Sequence, residues 1–162
     1  MGGAAITPGN VTPVAEFNIY ADPDAASVVL RSGVPLTMMG LDVTHQVLVT
    51  NDRRERIRRD GGRVSKVVAE LMSFYCRFDL DRYGMEGGPL HDPCVVAHLL
   101  DNKIFTTRHV NVEVETGSLL TLGETVTDWW HVTDRQLNCH VGERADDARF
   151  FDLLIERLDS LR

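Results

Sequence analysis

Two Asp-Pro pairs, Asp22-Pro23 and Asp92-Pro93, punctuate this 162-residue chain and set where helices can begin. Asp can accept the free amides of a first helical turn, and Pro at the first helical position needs no amide partner. The first of these helices runs through AASVVLRS and closes at Gly33. Pro35 to Met39 is short and apolar between Gly33 and Gly40, which predicts a buried strand. Ahead of the helix, Met1 to Ala5 reads as the end of a buried strand, and ITPGNVTPVAEFN as a stiff loop. Loop, helix and strand in this order predict an α/β sheet.

From Thr44 to Tyr83 the pattern is helical. Val67, Val68, Leu71, Phe74, Tyr75 and Phe78 stand at spacings of one, three and four, an amphipathic face expected to meet the core. The run RRERIRR at 53–59 reads as a solvated helix face, and Gly84 to Pro89 as a turn-rich break. Asp92 is the expected N-cap of a short buried helix, CVVAHLLD. A strand follows over Ile104 to Glu115, with shorter ones near Glu124–Trp129 and Asn138–Val141. A last amphipathic helix covers Asp146 to Leu161, with Phe150, Leu153, Leu154 and Leu158 on one side. No repeat or linker interrupts the chain, so a single domain over residues 1–162 is expected.

Charge removes several functions. A formal net charge of −7 disfavours nucleic acid and anionic membrane surfaces as partners. No apolar run nears the roughly 18 residues of a membrane span, and MGGAAITPGN lacks the basic and apolar regions of a signal peptide. Cys76, Cys94 and Cys139 are odd in number and widely spaced, which predicts reduced, buried thiols in a cytoplasmic protein.

Two clusters can carry chemistry. In GNVTPVAEFN, the side chains of Asn10, Thr12, Glu16 and Asn18 offer donors and acceptors on a stiff loop after a predicted strand. That suits a polyhydroxyl ligand such as a sugar, while local turn hydrogen bonds would use the same groups. In Leu90-His91-Asp92-Pro93, a histidine precedes a helix start, where it can donate a proton near neutral pH. Asp92 can cap the helix or bind a hard cation through oxygen.

GNVTPVAEFNIYADPDAA followed by PLHDPCVVAHLLD resembles the C-terminal part of the inosine–uridine-preferring nucleoside hydrolases. PLTMMGLDVTHQVLVT, FYCRFDLDRYG and VGERADDARFFDLLIERL resemble the same family, so the likeness covers essentially the whole chain. It implies a Rossmann-like α/β fold with an open, mostly parallel sheet flanked by helices. It also implies a purine or pyrimidine ribonucleoside substrate, hydrolysed to ribose and free base with a calcium ion and a metal-activated water. By motif position, His91 would be the proton donor to the leaving base and Asp92 a calcium ligand. Asn10, Glu16 and Asn18 would hold the ribose hydroxyls. Tyr83, eight residues before His91, would border the base, and an acidic Asp79 one turn earlier departs from the family pattern. The chemistry is coherent: the leaving base benefits from a general acid, a metal lowers the pKa of water, and a gripped ribose brings remote binding energy to the reacting carbon.

The family also begins with a strand and an aspartate-rich loop of the type DTDxGxDD, and no such motif occurs here. Calcium takes roughly 6–8 oxygen ligands, which Asp92 alone does not supply. The expectation is therefore an N-terminally truncated portion with the first sheet strands missing, half of an active site, and no hydrolysis by the isolated chain. Its partner would be a complementing N-terminal fragment or a second copy. The alternative expectation is a non-catalytic remnant that binds ribosides weakly or serves subunit association.

Overall fold

Asp22 opens its helix as expected: its Oδ1 accepts the Ala25 amide at 2.9 Å, Pro23 sits in the first turn, and Gly33 follows the end at φ +77°. The computed structural model describes residues 1–60, 62–84 and 86–161, with the side chains of 78–83 excepted. Its helices are α1 (Phe17–Ala21), α2 (Pro23–Arg31), α3 (Leu41–Thr44), α4 (Asn51–Asp60), α5 (Arg63–Tyr83), α6 (Pro93–Leu100) and α7 (Asp147–Asp159). Its strands are β1 (Thr37–Met38), β2 (Leu48–Thr50), β3 (Gly87–Pro89), β4 (Phe105–Val114), β5 (Thr125–Asp128) and β6 (Cys139–Ala145). These group into two compact units, one of residues 1–43 and 105–144, the other of residues 44–104 and 145–161.

The first unit is built on a four-stranded mixed sheet in the order β1-β6-β4-β5. β1 runs parallel to β6, with Thr37 opposite His140, and β4 runs antiparallel to β5, with Asn111 opposite Asp128. Val110, Val112 and Val114 alternate along β4 and form a core with Leu30 of α2 and with Cys139 and Val141 of β6. The segment Met1 to Ala5 is buried over Gly2 to Ala4, but it is not a strand. Gly3 at φ +83° ends any extended run, and a Cβ there would meet Met38 Sδ at 2.7 Å. Instead the Thr125 hydroxyl brackets Ala4, accepting its amide at 2.9 Å and donating to its carbonyl at 2.8 Å.

The second unit corrects the continuous helix expected over Thr44 to Tyr83. β2 interrupts it and pairs antiparallel with β3, Val49 opposite Gly88, so the expected Gly84–Pro89 break also contains a strand. Val47 and Val49 are buried, and β-branched residues favour such a pleated position. The apolar face expected on α5 points the other way. Val67, Leu71, Phe74 and Tyr75 are 50–74% exposed, whereas Ser65, Ala69 and Cys76 are buried; the Phe78 side chain lies outside the described residues. At Cys76 the packing is close: a Cβ on Gly88 would stand 2.6 Å from Cys76 Sγ, so β3 leaves room there only for a small side chain. The arginine run on α4 is not a bare face. Arg56 and Arg58 pair with Asp152 and Glu70 at 2.6 Å each, Arg53 pairs with Asp147, and Ile57 is fully buried. α7 begins at Asp146, which accepts the Arg149 amide at 3.0 Å, and it buries Phe150, Phe151 and Leu158. Among the described residues no helix is long and apolar enough to cross a membrane. The three cysteines are free and buried, as expected.

Candidate active-site clusters

In the first unit, the loop GNVTPVAEFN folds on its own polar groups. Thr12 Oγ1 accepts the Ala15 amide at 2.9 Å, and Asn10 Oδ1 accepts the Phe17 amide at 2.9 Å. Glu16 is only 3% exposed. Its Oε2 accepts the amides of Asn18 at 3.0 Å and Gly3 at 3.1 Å, so it caps α1 and pins the N-terminal segment at once. Asn18 is exposed, and its Nδ2 donates to the Met1 carbonyl at 3.3 Å. The local turn bonds weighed from sequence are thus present, yet they use one polar atom of each side chain. Among the described residues Asn10 Nδ2, Glu16 Oε1 and Asn18 Oδ1 take no hydrogen bond, which leaves a donor and two acceptors for hydroxyl groups.

Asp42 holds the segment that leads into this loop, and sequence reasoning missed it. Its carboxylate accepts the amides of Ala5, Ile6 and Thr7 at 2.6, 2.7 and 2.8 Å. Its only sequence signal was an acidic residue at the start of the helical pattern, just after Gly40.

In the second unit, His91 is half-buried. Its Nδ1 shares a 2.9 Å hydrogen bond with Thr44 Oγ1, the donor being set by the tautomer. Thr44 itself is fully buried. The His45 ring stands 5.7 Å from that of His91 at a tilt of 56°. Burial first, and then the charge of His45, pushes His91 down to about 4, with the Asp92 carboxylate opposing. In the free chain this environment favours the neutral imidazole. Thr44 and His45 were not singled out from sequence; they lie inside PLTMMGLDVTHQVLVT, where the helical reading hid them.

Asp92 stands at the N-cap of α6 but does not cap it. Its backbone is helical, at φ −63° and ψ −36°, so the side chain cannot turn back on the first amides, and it stays exposed. A carboxylate so placed is free to ligate a cation. However, no group of three or more His, Cys, Asp or Glu gathers among the described residues. Set against the roughly 6–8 oxygens of calcium, the described residues do not by themselves fit that ion. The Tyr83 and Asp79 side chains lie outside the described residues.

Comparison with known proteins agrees with the motifs. The family profile described as inosine-uridine preferring nucleoside hydrolase matches residues 1–152. The chain is 46% identical over 159 residues to the pyrimidine-specific ribonucleoside hydrolase RihA of Photobacterium profundum, covering 98% of this chain and 51% of that protein. It is 47% identical to the protein of the same name from Shewanella sp. (strain ANA-3), covering 98% and 50%. Among solved structures, a purine-preferring ribonucleoside hydrolase from Gardnerella vaginalis superposes with a TM-score of 0.85 at 35% identity, covering 99% of this chain and 51% of that one. The chain thus spans about half the length of the curated relatives it matches. With the profile running through almost every element described above, the chain belongs to the inosine-uridine preferring nucleoside hydrolase family.

Proposed function

We propose that the chain serves hydrolysis of the N-glycosidic bond of ribonucleosides, giving ribose and free base. The observation that carries this reading is the His91 site: an imidazole gripped at Nδ1 by a buried threonine, beside a carboxylate that caps nothing. The grip on Nδ1 leaves Nε2 as the nitrogen for proton exchange with the leaving base. In the reaction, water adds at the anomeric carbon, the base leaves with the bonding electrons, and a proton is delivered to it. Asn10, Glu16 and Asn18 are assigned to the ribose hydroxyls, on the strength of their unused donor and acceptor atoms. Asp92 is assigned as one carboxylate ligand of a calcium ion, and Tyr83 as a contact to the base. Three buried free thiols support a cytoplasmic setting.

We further infer that these 162 residues do not turn over substrate alone, because no metal cluster gathers among the described residues. The partner that completes the site is a segment equivalent to the half of the RihA relatives that this chain does not span. The test is ribose release from uridine and inosine with calcium, by the chain alone and mixed with that half of the Photobacterium profundum protein. Turnover is expected only in the mixture, and His91→Ala should abolish it. Turnover by the chain alone would overturn the need for a partner. Turnover in the mixture that His91→Ala leaves intact would overturn the proton-transfer role.

A further inference from the structure

His109 of β4 and His140 of β6 stack face to face, with ring centroids 4.3 Å apart and planes within 7° of parallel. The two strands are neighbours in the sheet, so the backbone itself presents the rings as a pair. Both residues are exposed. Asn111 lies two positions beyond His109 on the same face of β4. It is 3% exposed, and although its Nδ2 donates to the Gln136 carbonyl at 2.8 Å, its buried Oδ1 receives no hydrogen bond from the described residues. Buried amide oxygens rarely stay unpaired, because leaving one without a donor is unfavourable. His109, Asn111 and His140 line one open cavity of about 590 Å³ in the first unit.

We propose that His109 and His140 form a two-imidazole site for a divalent transition-metal ion of the zinc, nickel or copper class, with Asn111 Oδ1 accepting a hydrogen bond from a water on that ion. Imidazole selects these ions, whereas calcium and magnesium want oxygen donors. The nearby carboxylate of Glu113 is engaged by Arg31 at 3.2 Å, and Arg135 adds a positive charge to the cavity wall. A hard cation held by charge alone is disfavoured there, so affinity must come from nitrogen ligation. Two imidazole nitrogens each about 2.0–2.1 Å from one tetrahedral ion put the ring centroids roughly 5 Å apart. To bind, the stacked rings must unstack and turn until both ring planes meet at the ion, which exposed side chains reach by changing χ1 and χ2 rotamers.

The test is calorimetric titration of the whole chain with zinc chloride, comparing wild type with His109→Ala, His140→Ala, His45→Ala and His131→Asn. His131 is exposed and outside the pair, and Asn tolerates its φ of +54°. Each of the first two variants is expected to weaken zinc binding by about tenfold or more, and the other two to leave it unchanged. Equal binding by wild type and both pair variants, or an equal loss in His45→Ala, would overturn the site. Should a pair variant fail to fold, nickel added to wild type decides the matter. It should broaden the ring-proton signals of His109 and His140 before those of the other histidines, and simultaneous broadening of all would reject the proposal.

Discussion

Thr44 Oγ1 and His91 Nδ1 meet at 2.9 Å across 47 positions of sequence. The hydroxyl is fully buried, so its loss cannot be made good by water without rearrangement. Thr44→Val keeps the shape and removes the hydrogen bond. The expected cost is about 1–3 kcal/mol in urea unfolding. Nitrogen NMR of the imidazoles should show a change in the His91 tautomer balance, with His109 and His140 unaffected. A variant as stable as wild type, with an unaltered His91 signal, would mean that the hydroxyl contributes neither packing nor orientation.

Asp42 gathers three consecutive amides, those of Ala5, Ile6 and Thr7, within 2.8 Å. Hydrogen bonds to a charged acceptor are the strong kind, roughly 1.5–3 kcal/mol each when lost singly and less than additive together. Asp42→Ala is expected to lower stability by about 2–4 kcal/mol on that scale, with Asp42→Asn milder because one oxygen remains. Hydrogen exchange should quicken at all three amides while those of α2 stay protected. Uniform loss of protection across the first unit would instead make Asp42 a general stabiliser rather than a clamp on this loop.

The elements that the chain declares in its own local chemistry are the ones the sequence predicts well. Asp22-Pro23 with Gly33, and Asp146 before α7, carry caps that need no tertiary partner. The β-branched run of β4 likewise marks a strand wherever it packs. Failures occur where a long-range contact decides. Periodicity identified α5 as a helix but assigned its buried side to Val67, Leu71 and Phe74, because hydrophobicity cannot reveal that β3 approaches Cys76 so closely or that Ser65 and Ala69 lie on the buried side. Asp92 sits at a helix start yet leaves its cap unmade, since its backbone is already helical. At the site, His91 and the polar loop stood out by residue type and motif. Thr44 and Asp42 did not, because their partners lie 47 and 35–37 positions away.

Gly88 provides the sharpest test of that close approach. A Cβ there would lie 2.6 Å from Cys76 Sγ and 3.0 Å from both Cys76 Cα and Cβ. Gly88→Ala is therefore expected to destabilise the protein by about 1–3 kcal/mol through overpacking. Cys76→Ala removes the sulfur but leaves the backbone contact, so the double variant should recover only part of the loss. A double-mutant cycle of urea midpoints reads this coupling directly. Simple additivity would mean that α5 moves away freely and that its small-residue face has another cause.

Several half-buried carboxyls help set the acid limit of the fold. The Arg149 hydrogen bond and then the Lys103 amide hold Asp101 below its ordinary value of 3.8, and the Thr133 hydroxyl and then the Val132 amide do the same for Asp128. Glu115 is held below 4.5 by the amides of Gly117 and Ser118. A carboxyl depressed in the folded chain takes up its proton first in the unfolded one, so acid favours unfolding. The stability these groups contribute is complete above their unfolded values and drains away as pH falls through the lower folded ones. The urea midpoint should thus begin to fall below about pH 6.5, where the unfolded chain protonates His91, and fall further below about pH 4.5 as these carboxyls take up protons. Asp101→Asn and Asp128→Asn should each flatten that fall while lowering the midpoint at neutral pH. High salt should weaken the Asp101 share, which involves an ion pair with Arg149, more than the Glu115 share, which rests on backbone amides. A midpoint that rises on acidification would show that these carboxyls repel one another more than their partners hold them.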